Sequence, residues 1–181
     1  MSLKNLLEEN KGKIIAKWFD AIIETYPSDT ANFLKSQENR FANPVGATIS
    51  QGINNLFDII MNGSDNEEAY AFLDNIVRIR AIQDFTPSQA VSFMFFLKRI
   101  IREELRKAIQ EKHIYEELFA FEAKIDVLAS SAFDIYMKCR EKLYEIKASE
   151  LRRMTFRLLQ RANLLSEVKG QDSDFKEGND G

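Results

Sequence analysis

Histidine and cysteine each occur once in 181 residues, proline three times and glycine seven times. Each scarcity removes a class of protein. The lone Cys139 excludes an intramolecular disulfide and fits a reducing compartment. The lone His113 leaves little for Ser–His catalysis, and it cannot supply a bundle di-iron site, which draws Glu-x-x-His from each of two helices. No Cys-x-x-Cys, P-loop or GxGxxG pattern is present. So few glycines and prolines leave little material for β-turns, which argues against many short strands. The longest apolar run, Val91 to Leu97, is far short of a bilayer span and stops at Lys98-Arg99. The opening MSLKNLLEENKGK carries no secretory h-region. These absences predict a cytoplasmic chain that is not an enzyme, holds no cofactor or metal, and has no membrane partner.

What remains is 45% hydrophobic and 29% charged residues, enough for one domain with a real core. Apolar residues recur at helical spacing from the start: Leu3, Leu6, Leu7, then Ile14, Ile15, Trp18, Ile22 and Ile23. Gly12 is a candidate division between a short helix and a longer one, and Pro27 ends it. Ser28-Asp29-Thr30 offers N-caps for a short helix to about Lys35. Asn43-Pro44 opens a helix that stops at Asn62-Gly63. Ser64 with Glu67, and Thr86 with Gln89, read as capping boxes for helices to about Arg80 and about Ile109. The second of these holds Phe93, Met94, Phe95 and Phe96 and is apolar nearly all round, so it is expected in the middle of the domain. From about Lys112 to Leu165 there is no Pro and no Gly, which predicts one long helix or two nearly continuous ones.

Candidate sites are few. The four residues 93–96 are core first and the lining of an apolar ligand pocket second. Along the last helix Ala132, Tyr136, Cys139, Leu143 and Ile146 step by four, three, four and three. Leu151, Met154 and Leu158 follow after a five-residue step. These eight form a candidate dimer seam with a phase break. The pairs Glu8/Glu9, Glu67/Glu68, Glu103/Glu104 and Glu116/Glu117 read as solvated faces. Gly46 and Gly52 fall within a predicted helix and suggest a close helix crossing. Charge is uneven: residues 138–165 carry eight basic and three acidic side chains, and 166–181 two and five. The basic helix allows docking on an acidic partner, but no Gly-rich or aromatic nucleic-acid motif accompanies it.

Three passages, WFDAIIETYP (18–27), RFANPVG (40–46) and DFTPSQAV (84–91), resemble the N-terminal sensor domain of RsbR/RsbRD-type regulators, co-antagonists of the RsbT kinase in the bacterial stressosome. The resemblance covers roughly residues 3–165. It implies a globin-like helical bundle that binds no haem, forms a homodimer and sends its signal out through a helix leading to a STAS domain. The helix at 65–80, where a globin carries its proximal histidine, has none. At its C-terminus the chain departs from the family pattern, with a polar tail where a STAS domain is expected. The expected architecture is all-α: a globin-like sensor over 1–165, globular to about 133 with a signalling and dimerisation helix over 134–165, and a disordered tail over 166–181. The expected partners are a second copy, a downstream signalling protein and a small apolar ligand. The rival reading is a structural adaptor docking an acidic partner through the basic final helix.

Overall fold

A computed structural model describes residues 2–36, 42–63 and 66–162. The N-cap expected at Ser64, residues 40 and 41 of RFANPVG, and the tail from Ser166 lie outside those residues. Among the described residues the protein is all-α, with seven helices in the order α1 (Leu3–Ile23), α2 (Ser28–Ser36), α3 (Pro44–Asn62), α4 (Asn66–Ile82), α5 (Pro87–Glu104), α6 (Arg106–Lys112) and α7 (Tyr115–Arg161). None of these helices is long and apolar enough to cross a membrane.

Local chemistry sets most of the ends. The Ser2 side chain accepts the Asn5 amide to cap α1. That helix runs unbroken through Gly12, so the expected division there is absent. Asn43 caps α3 by accepting the Gly46 amide at 2.8 Å, while its own amide donates to the Leu34 carbonyl at 2.7 Å, tying α2 to α3. Gly63 closes α3 in the left-handed region (φ 67°) with its N–H on the Ile59 carbonyl, the conformation that costs glycine least. Thr86 and Gln89 form the reciprocal capping box of α5.

Two boundaries differ from expectation. The helix begun at Pro87 does not run to Ile109: Leu105 leaves helical geometry (φ −99°, ψ 9°) while its side chain stays buried, and α6 restarts after it. His113, in the left-handed region (φ 51°), then turns the chain into α7.

The described residues up to Arg140 form one compact unit, and those from Glu141 to residue 162 a separate one. In the first unit α1 packs against α3 and α5, and α3 against α4. Gly52 permits the last of these contacts, since a Cβ there would stand 2.8 Å from Ile76 Cδ1. Trp18 lies fully buried at the α1–α5 contact. Its indole N–H donates to the Phe93 carbonyl and its ring stacks on Phe93, centroids 6.4 Å apart. Lys13 and Lys17 of α1 grip Glu104 of α5, which holds the Glu104 carboxyl below its usual range. Arg102 of α5 makes a bidentate pair with the buried Glu122 of α7, both contacts 2.5 Å. Lys98 reaches Asp126 at 2.9 Å.

Candidate functional site

The residues marked from sequence do not converge on one cavity. Phe93 and Met94 are fully buried in the core, whereas Phe95 is 48% exposed. Phe96 is half-buried, with the Arg99 guanidinium 5.6 Å from its ring centroid. A step of two residues turns a helix by about 200°, so Phe93 and Phe95 must face opposite ways. The helix is therefore amphipathic, not apolar all round. Its outer face forms the floor of an open depression of about 640 Å³ lined by Phe95, Lys98, Arg99, Arg102, Glu103 and Arg106. That lining is mostly charged, unlike an apolar ligand pocket.

Along α7 the eight seam residues also fall into different surroundings. Ala132 and Tyr136 are buried within the chain's own core, leaving no surface for a partner. Cys139 and Leu143 are half-buried. Burial pushes the Cys139 thiol above its usual range, opposite to what a reactive thiolate needs. Ile146, Leu151, Met154 and Leu158 are exposed. Tyr144, Leu151 and Leu158 follow one another at seven-residue steps and so share a face, with Met154 beside them. Ile146 stands five residues from Leu151 and points elsewhere. The exposed stripe from residue 141 onward is thus Tyr144, Leu151, Met154 and Leu158.

His113 is exposed at the α6–α7 turn. No group of three or more His, Cys, Asp or Glu among the described residues could hold a metal ion. Among the paired carboxylates, Glu104 is held by the two lysines of α1, Glu117 accepts the Leu3 amide at 2.7 Å, and Glu103 lies 3.9 Å from Arg99 on its own helix.

The arrangement that sequence reasoning passed over lies at the α4–α5 corner. Arg80 is 0% exposed, and a buried arginine keeps its charge. Its Nη2 donates to Thr25 Oγ1 and the Gln89 carbonyl, both at 3.0 Å. Among the described residues, its Nε and Nη1, and the Tyr26 hydroxyl beside it, make no well-formed hydrogen bond. Instead the guanidinium carbon sits 4.1 Å from the Phe85 ring centroid and 5.5 Å from that of Tyr26. Burial draws the Arg80 pKa below the usual arginine value, partly offset by Tyr26. Burial likewise raises the Tyr26 phenol, and the Arg80 charge partly opposes that. The signal was present in the sequence: Leu73, Ile76, Val77, Arg80 and Ala81 share one helical phase, and one of them is charged.

From α7, the Tyr136 hydroxyl donates to the Phe85 carbonyl at 2.5 Å. Arg140 reaches the Ala81 carbonyl at 3.2 Å and Asp84 Oδ1 at 2.8 Å.

Comparison with known proteins gives a family and a distant relative. The sequence model of the RsbT co-antagonist protein RsbRD N-terminal domain matches residues 12–151. An uncharacterised protein of Archaeoglobus fulgidus is 21% identical over 146 residues, covering 78% of this chain and 84% of its own. No solved structure matches.

Proposed function

The chain belongs to the RsbT co-antagonist RsbRD N-terminal domain family, a family of stress-signalling regulatory domains, and from that premise we propose that it is a non-catalytic sensor acting as a cytoplasmic homodimer. In this reading the bundle of residues 1–140 receives the signal and α7 passes it to a downstream signalling protein. The globin-like bundle implied by the family takes no haem, because α4 carries no histidine.

The observation that carries the proposal is the stripe Tyr144, Leu151, Met154 and Leu158, with exposures of 58%, 66%, 62% and 63%. Four large apolar side chains on one face of a helix are a liability in an isolated chain. Pairing with a second copy covers them at seven-residue spacing, as in a coiled coil. The seam proposed for the dimer is this stripe, with Ala132 and Tyr136 assigned to the core.

Light scattering after size exclusion tests it: the protein should elute at twice the 20.9 kDa chain mass. A Leu151→Glu/Leu158→Glu variant should run as a monomer with the bundle still folded by circular dichroism. In a Cys139→Ser background, Leu151→Cys should cross-link two chains under mild oxidant if the helices run parallel. A wild-type monomer at micromolar concentration would remove the reading.

A further inference from the structure

Charge burial at the α4–α5 corner is one-sided. A fully buried cation is tolerated when an anion or a full set of hydrogen bonds accompanies it. Among the described residues Arg80 has two neutral acceptors, both on Nη2, and two aromatic faces, with the Tyr26 hydroxyl alongside. Ring contacts of this kind attract a cation, but they do not replace the hydrogen bonds that Nε and Nη1 would make to water. The closed corner therefore holds a group that would gain by reaching water. What holds it in is thin: the Phe85 ring, itself half-buried, on the short link 83–86 between two helices. Asp84 in that link sits at φ 60°, in the left-handed region that residues other than glycine adopt less readily.

The same link is the place where α7 is fastened. Phe85 supplies the ring that covers Arg80 and also the carbonyl that accepts the Tyr136 hydroxyl. Arg140, the last residue of the compact unit, is fastened to Ala81 and Asp84. Moving Phe85 outward uncovers Arg80 and removes the Tyr136 acceptor in one step.

We infer that the α4–α5 corner is a clasp loaded against Arg80, whose opening frees the Tyr136–Arg140 turn of α7 and so admits the signal to that helix. The inference rests on the reading of α7 as the output helix. The buried charge biases the clasp toward opening, Phe85 is its lid, and Tyr136 is the tie between lid and helix.

Hydrogen exchange followed by mass spectrometry on the full chain tests this in segments 81–90 and 132–142. Arg80→Met keeps the aliphatic length and removes the buried charge, so exchange in both segments should slow together, by about tenfold. Phe85→Leu removes the aromatic lid, and Tyr136→Phe removes the tie. Each should speed exchange in both segments while the α1–α3 contact stays protected.

If Arg80→Met speeds exchange, the guanidinium is a fastener and the clasp is not loaded. If Phe85→Leu or Tyr136→Phe loosens one segment and leaves the other unchanged, the two are not coupled and the inference fails. Native mass measured on the same samples separates this from the dimer reading. Coupled exchange in a monomer counts against the α7 seam alone, whereas a dimer with uncoupled segments counts against the clasp alone.

Discussion

Phe93 and Phe95 are two positions apart and differ completely in what they lose on truncation. Phe93 fills the core against Trp18, so Phe93→Ala should cost about 3–5 kcal/mol through lost transfer free energy and a cavity. Phe95, half in solvent, should cost under about 1 kcal/mol. Thermal melts of the two variants check both values, and a Phe95→Ala variant as unstable as Phe93→Ala would contradict the exposed placement. Tyr26 carries a prediction of the opposite sign. Its buried hydroxyl makes no well-formed hydrogen bond among the described residues, so Tyr26→Phe should leave stability at pH 7 unchanged or raised. In the wild type the raised phenol pKa leaves stability intact below the ordinary tyrosine value of about 10. Above it the unfolded chain ionises first, and stability falls as pH rises toward the folded value. Denaturant titrations between neutral and strongly alkaline pH should show that fall flattened in Tyr26→Phe. Arg80 was readable in principle, as a charge in an apolar phase, but periodicity alone cannot tell a buried guanidinium from one snorkelling to solvent.

Among the elements, helix starts were legible because they rest on local chemistry: Asn43-Pro44 and the Thr86/Gln89 box act within one turn. The break at Leu105 was not legible, because no glycine, proline or capping residue marks it. The pattern along α7 is more instructive. Two apolar faces share that helix, one buried through Ala132 and Tyr136, the other exposed through Leu151 and Leu158. A pattern of three- and four-residue steps joined one to the other, and the five-residue step after Ile146 is where it changed face. Gly52 gives a direct test of the α3–α4 crossing. Gly52→Val must displace Ile76, a fully buried side chain, and should cost roughly 1–3 kcal/mol by overpacking. A Gly52→Val protein melting at or above the wild-type temperature would mean the two helices part freely.

For the whole molecule, fold class and family were within reach of the sequence, because scarce glycine and proline, helical periodicity and three short passages all point one way. The site was less so, since it is made of contacts between segments far apart in the chain, such as Phe85 with Tyr136. Adding hemin to the protein should give no one-to-one Soret transition, because α4 offers no axial histidine. A sharp transition abolished by His113→Ala would overturn the reading of a bundle that takes no haem.

Trp18 is the single tryptophan of the chain, and it lies in the α1–α5 contact, fully buried, with its indole N–H engaged. Its fluorescence therefore reports one place. Blue emission should persist while the α4–α5 corner opens, because none of the corner contacts involves the indole. Emission should move red only when α1 leaves α5. An optical signal that stays silent through signalling and changes on denaturation would let activation and loss of structure be followed separately in the same cuvette, with no label attached.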